Sequence, residues 1–283
     1  MESLSVSRQR LLDDFGMRAI VAAELEWYAW PLGEQGPQPL SHPMEEITAW
    51  VRAAAEQEAI LLESVEAERG PGQLEFSLSP TPDAEQLAQH LAVLRSRITQ
   101  VFQHHGYATS FAAKPFAEHY GSALHLHLHL EDTQGERLFW KEEEELSPAL
   151  AQVIAGLLET AQKYLPVFAP TAESWQRFTP GWHAPVNASW GGNNRTVALR
   201  LPDGTGGLSG AEALLLASPH RYRRIEHRIA GADSDPERVL TAILSGVHYG
   251  LTHQLVPPTP IHGDASHKQY ELTDFSPPLL RHG

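Results

Sequence analysis

From Leu124 to Leu130, leucine and histidine alternate without a break. A β-strand sends successive side chains to opposite faces, so this stretch commits the chain to a sheet with one apolar and one polar side. Leu124, Leu126, Leu128 and Leu130 belong to a core, and His125, His127 and His129 share the other face. Three imidazoles on one strand face can hold a metal or meet an anionic substrate. They can equally be the solvent side of a half-exposed strand, and this stretch alone leaves both readings open.

Other stretches repeat the pattern with carboxylates. Residues 18–30 are rich in β-branched and aromatic residues and read as a strand, with Glu24 and Glu26 on one face and Leu25 on the other. Neighbouring carboxylates repel, which an exposed edge tolerates and an apolar setting does not unless a cation is present. After the turn Gly70-Pro71-Gly72, the residues Gln73, Glu75 and Ser77 alternate with Leu74, Phe76 and Leu78. In residues 221–229, Glu226 and Arg228 share a strand face.

Helices separate these strands. Apolar residues at helical spacing mark residues 7–15, a helix from Ser41 and Pro43 to about Glu58, and one capped by Thr81-Pro82-Asp83. Two more open at Ser147-Pro148 and Asp235-Pro236. The run Glu142–Glu145 reads as a solvated face. Residues 203–210 are glycine-rich but lack lysine and a Walker pattern, so they read as a turn and not as a phosphate loop. The proline-rich tail beyond Leu255 lies over the surface or makes a contact. Alternating strands among helices predict an α+β fold, a half-solvated and largely antiparallel sheet with helices on its other face.

Composition narrows the chemistry. The 283 residues suffice for a sizeable core. With no cysteine, any metal must be held by carboxylate and imidazole, which favours Mg²⁺ or Mn²⁺ over structural zinc. A net charge of −14 argues against a nucleic-acid partner. No stretch reaches the roughly 18 apolar residues of a membrane span, and the N-terminus has no signal pattern, so the expectation is a cytoplasmic protein. If the polar faces lie in one sheet, Glu24, Glu26, Glu75, His125 and Glu226 converge on a cavity. Two charges about 4 Å apart repel by roughly 4 kcal/mol at an effective dielectric near 20, so the cluster needs divalent cations or raised pKa values. Arg177, Arg195, Arg200 and Arg228 supply the opposite charge. Metals beside arginines suit phosphoryl transfer from ATP.

Six segments, in order, resemble the glutamine synthetases and their γ-glutamyl-amine ligase relatives. Glu24-Leu25-Glu26-Trp27-Tyr28 is similar to the family's metal strand, and Glu68 through Pro71-Gly72-Gln73-Leu74-Glu75 to its Glu…Pro-Gly-Gln-x-Glu motif. Lys114-Pro115 and Gly121–His127 resemble the Lys-Pro…Gly-Ser-Gly-Met-His-x-His signature. Arg177, Asn194-Arg195-Thr196 with Arg200-Leu201-Pro202, and Arg224–Arg228 resemble its arginine segments. The resemblance implies the glutamine synthetase/guanido kinase fold over one catalytic domain, residues 1–283. It implies one metal site of Glu26, Glu68 and Glu75 and another of Glu24, His125 and Glu226. Gly121, Arg177 and Arg228 would hold glutamate. Arg195 would stabilise the transferred phosphoryl group. Arg200, His127 and Arg195 would contact ATP. The implied reaction phosphorylates the substrate's γ-carboxylate, and an amine then attacks the acyl phosphate.

Four departures qualify this. His183 stands where ammonia-using members carry a glutamate that helps deprotonate ammonium, and with the following Trp-Gly…Asn-Arg-Thr it resembles the polyamine and alkylamine branch. That implies an organic amine as nucleophile, or ammonia handled other than in the usual way, and a catalytic part for His183. Tyr120 replaces a glutamate-contacting asparagine, and His129 a serine near ATP. Against the family pattern the N-terminal β-grasp domain is missing and the C-terminal helices are curtailed. This implies either an open pocket or an oligomer or partner chain that supplies the rest. The expectation is an ATP-dependent ligase. The alternative is a non-catalytic nucleotide- or glutamate-binding member, or a partner of a full-length synthetase, and a weaker third is a guanidino phosphotransferase.

Overall fold

A computed structural model describes residues 2–140, 146–202 and 223–275. The glutamate run at 142–145 and the glycine-rich stretch at 203–210 lie outside the described residues. Strand β1 (Met17–Pro31) is the strand expected from its β-branched and aromatic content, and it runs through the middle of the sheet. It pairs antiparallel with β3 (Gln73–Thr81) on one side and with β5 (Leu124–Asp132) on the other. β2 (Leu62–Ala67) extends the sheet beyond β3, and β4 (Tyr107–Ser110) pairs with the end of β1. Beyond β5 come β8 (Ile225–His227), β7 (Leu199–Leu201) and β6 (Trp190–Gly192), giving the order β2-β3-β1-β5-β8-β7-β6. Every pairing is antiparallel except β6 with β7. The architecture is the α+β class expected.

The leucines of β5 are at most 1% exposed and lie in one core with Leu25, Trp27 and Phe76. Burying each contributes about 2 kcal/mol. Helices α1 (Leu4–Phe15), α3 (Ala84–His104), α4 (Pro148–Phe168) and α6 (Pro236–His253) join that core, with α2 (Met44–Glu56) beside α3 and the short α5 (Ala172–Trp175) after α4. Helix α1 begins three residues earlier than its apolar spacing predicts, because the Ser3 side chain caps it. Asp83, Ser147 and Asp235 cap α3, α4 and α6, whereas Pro43 precedes α2 without a side-chain cap.

One expectation needs correction. The polar face of the sheet is not half-solvated. His125, His127 and His129 are only 5 to 7% exposed, and Glu226 is buried. Loops carrying Tyr120, Trp182, His183 and Arg195 close over part of it. The tail makes contacts: Ile261 N donates to Trp190 O, Trp190 Nε1 to Pro258 O, and Phe275 N to Val186 O. Among the described residues, no helix is long and apolar enough to cross a membrane.

Candidate active site

Strand register assembles the acidic face. Glu66 lies opposite Glu75 across β2 and β3, and Glu75 lies opposite Glu26 across β3 and β1. Glu24 lies opposite His125 across β1 and β5, and Glu226 pairs with His127 on one side and Arg200 on the other. Residues from Glu24 to Arg228 thus line one cavity of about 240 Å³. Glu24, Glu26, Glu68, Glu75, Gly121, His125, Arg177, His183, Arg195, Arg200, Glu226 and Arg228 all face it. His127 is not among its lining residues.

Two groups bring ligand atoms within 4.8 Å of one another: Glu26 with Glu68 and Glu75, and Glu24 with Glu75 and His125. The first is the set implied by the motifs. The second has Glu75 in the place expected of Glu226. Glu226 lies close, its Oε1 3.6 Å from His125 Nδ1, but arginines hold it. Arg200 Nη1 donates to its Oε2 at 2.7 Å and Arg228 Nη1 to its Oε1. In sequence, the motifs give Glu226 to a metal and these arginines to substrates, and no pattern shows that they pair.

The electrostatics match this division. Burial and the neighbouring Glu68 raise the Glu26 carboxyl to about 8, although it accepts from Ala123 N at 2.9 Å and Gln73 Nε2 at 3.3 Å. Burial and the charges of Glu24, Glu26, Glu68 and Glu66 raise Glu75 to about 10. Burial would raise Glu24 too, but His127 and His125 outweigh it and hold that carboxyl well below the usual range. Burial is likewise outweighed at Glu226, where Arg228, His125, His127 and Arg200 bring it to about 2. His125 falls to about 4 through burial and the Arg228 charge, so it is a neutral imidazole at pH 7, the state in which a histidine ligates a metal. Oxygen donors with one imidazole, and two carboxyls crowded enough to resist ionising alone, fit a divalent cation.

His127 has a supporting position. Arg224 Nε donates to its Nδ1 at 3.1 Å, which leaves the proton on Nε2, 3.0 Å from Glu24 Oε1. His129 Nε2 lies 3.0 Å from Glu131 Oε1, away from the cavity lining. Arg177 is buried and spends two donors on the chain itself, Nη1 to Ile229 O at 2.8 Å and Nη2 to Arg228 O at 2.9 Å. A Cβ at Gly121 would stand 2.8 Å from Arg177 Cγ and 2.7 Å from Ala113 O, so only glycine lets this arginine pass.

The catalytic-domain model of glutamine synthetase matches residues 32–274. The chain belongs to the glutamine synthetase catalytic-domain family. It is 34% identical over 201 residues to gamma-glutamylputrescine synthetase PuuA of Escherichia coli (strain K12), covering 71% of this chain and 40% of that protein. It is 32% identical over 231 residues to glutamate–isopropylamine ligase of Pseudomonas sp, covering 81% of this chain and 46% of that protein. The chain thus spans less than half the length of these two relatives. A solved GmaS/ADP complex shares the fold, with a TM-score of 0.78 at 21% identity over 96% of this chain and 64% of that one.

Within this glutamine synthetase domain, several cavity residues carried no assigned part in the sequence. Gln73 Nε2 bridges Glu26 and, at 3.0 Å, the Gly121 carbonyl, tying two motifs together. Its place two residues before Glu75 on one strand face was the available signal. Glu66, Arg69 and Trp182 also line the cavity, as does Tyr120 at the position marked in the sequence as replacing an asparagine. Glu66 shares Glu68's alternation, whereas nothing in the pattern distinguishes Arg69 from an ordinary turn residue.

Proposed function

We propose that the chain is the catalytic part of an ATP-dependent ligase that joins the γ-carboxylate of glutamate, or a glutamate-like acid, to an organic amine. The observation that carries this is the convergence of Glu24, Glu26, Glu68, Glu75 and His125 with Arg195, Arg200 and Arg228 in one cavity. The relatives named for putrescine and isopropylamine ligation support an amine, and the GmaS/ADP complex supports a nucleotide.

Glu26, Glu68 and Glu75 would hold one divalent ion, and Glu24, His125 and Glu75 the other, with Glu226 close by. Mg²⁺ or Mn²⁺ suits these hard donors and would neutralise charge on the nucleotide's phosphates. A γ-carboxylate oxygen attacks the γ-phosphorus of ATP and the bond to ADP breaks, leaving an acyl phosphate. Arg195, which makes no ion pair among the described residues, is free to meet the transferred phosphoryl group. Arg200 reaches the nucleotide, and Arg228, braced by Arg177, holds the acid beside Gly121.

The amine nitrogen then attacks the acyl carbon, inorganic phosphate leaves, and the nitrogen gives up a proton. His183 is the acceptor for that proton. Burial and the charges of Arg69, Arg195 and Arg228 lower its pKa, keeping the ring neutral, and its buried Nδ1 has no hydrogen-bond partner. The test is ADP release with glutamate, ATP and Mg²⁺ across an amine panel, with the amide product measured by mass spectrometry. Product that depends on glutamate and disappears in Glu75→Ala is expected. Nucleotide binding without turnover across the panel would instead make the chain a non-catalytic binder.

A further inference from the structure

The cavity is lined by carboxylates and arginines together. Arg69, one residue past Glu68, lines it, and its guanidinium makes no hydrogen bond or ion pair among the described residues despite the carboxylates nearby. His183 lines the same cavity, and the Arg69 charge stands first among the arginines that lower that imidazole. Arg228 reaches the same place, donating from Nη2 to the His183 carbonyl at 3.1 Å.

The aromatic residues beside His183 also face a cation. Tyr120 packs edge-on against Trp182 with ring centroids 5.3 Å apart, and lies 5.8 Å from His183. Three aromatic rings could cradle an ammonium group. Here, however, Lys114 Nζ already sits over the Trp182 ring, 4.5 Å from its centroid. A second ammonium arriving beside His183 would meet the charges of Arg69, Arg195 and Arg228. A carboxylate would find an unpaired planar fork in Arg69, with the aromatic rings for the carbon chain between.

We propose that Arg69 is a specificity determinant that selects acceptor amines bearing a carboxylate, such as ω-amino acids, over diamines and polyamines. The proposal rests on the ligase reading above and deepens it. It sets this chain apart from its relative named for putrescine, a diamine. The amine end of such an acceptor lies at His183 and its carboxylate at Arg69.

The full chain with ATP, glutamate and Mg²⁺ is assayed with 4-aminobutyrate, 1,4-diaminobutane and n-propylamine. The expected kcat/KM for 4-aminobutyrate exceeds that for the diamine by about tenfold or more, the scale of one charge-assisted hydrogen bond. Arg69→Gln lowers the ratio of 4-aminobutyrate to propylamine kcat/KM by about tenfold, through KM, and Arg69→Lys restores part of it. Two results overturn the proposal. One is a diamine preference that Glu66→Gln removes. The other is an equal fall in kcat for every acceptor in Arg69→Gln, which would give Arg69 to the phosphoryl group. If no acceptor yields product, the ligase reading fails. Calorimetric binding still decides for Arg69, since tighter binding of 4-aminobutyrate than of the diamine, lost in Arg69→Gln, supports the selection and its absence refutes it.

Discussion

Glu75 sits between Glu66 and Glu26 in adjoining strands and belongs to both candidate metal groups. Its pKa, about 10, and that of Glu26, about 8, are raised above the ordinary carboxylate value of 4.5. Folding then favours the protonated forms, so their contribution is full below pH 4.5 and is lost as pH rises through the folded values. Between pH 7 and 9 the lowered pKa values of His125 and His227, about 4 and 3, are already passed. In chelator, the urea midpoint is therefore expected to fall across pH 7 to 9, and Glu75→Gln to flatten that fall and raise the midpoint at pH 8. With Mg²⁺ the order reverses: the parent gains stability, and the variant gains less while losing activity on the order of 100-fold. At His183, replacement by Ala is expected to lower kcat with an amine acceptor by about 10² to 10⁴, the range of general base catalysis. In the parent, the acid limb of the pH–rate profile would fall below pH 6.5, because burial and three arginines depress that imidazole.

The turn between β2 and β3 sets where Glu68 and Glu75 stand, and Gly72 makes that turn fit. Its φ is +72°, and a Cβ there would lie 2.2 Å from Ala29 O and 2.6 Å from Gln38 O, both backbone atoms. Gly72→Ala is expected to cost about 2 to 4 kcal/mol in thermal or urea unfolding and to weaken Mg²⁺ binding, since β1 cannot yield without moving Glu26. On the other side of β1, Leu128→Ala would open a core cavity at a cost of about 2 to 5 kcal/mol. Elements of this kind were the most legible part of the sequence. Leucine–histidine alternation announced β5, and the Gly-Pro-Gly turn with the alternation after it announced β3, because both are local patterns; β2, which completes the hairpin before the turn, carried no such signal. Glu26, Glu68 and Glu75 came together as their motifs implied, since two of the three sit on that hairpin and the third on the strand it pairs with.

What the sequence concealed is long-range. Periodicity shows which face Glu226 takes but not that β8 lies between β5 and β7, where Arg200 and Arg228 can seize it. It shows three imidazoles on one face but not that loops carrying Tyr120, Trp182, His183 and Arg195 would share a cavity with His125. Nor does it show that His127 would turn to Glu24 and His129 to Glu131. That Arg69 shares a cavity with His183 was invisible for the same reason, because the two lie more than 100 residues apart in the chain. The acidic face is likewise gathered from segments as distant as Glu24 and Glu226. While the chain is still collapsing, these carboxylates are far apart and exert little force on one another. Their conflict arises only once β3, β1, β5 and β8 have all docked, late on the folding route. An ion that relieves it should therefore leave the refolding rate almost untouched and instead slow unfolding, so stopped-flow traces with added Mg²⁺ should shift only the unfolding arm.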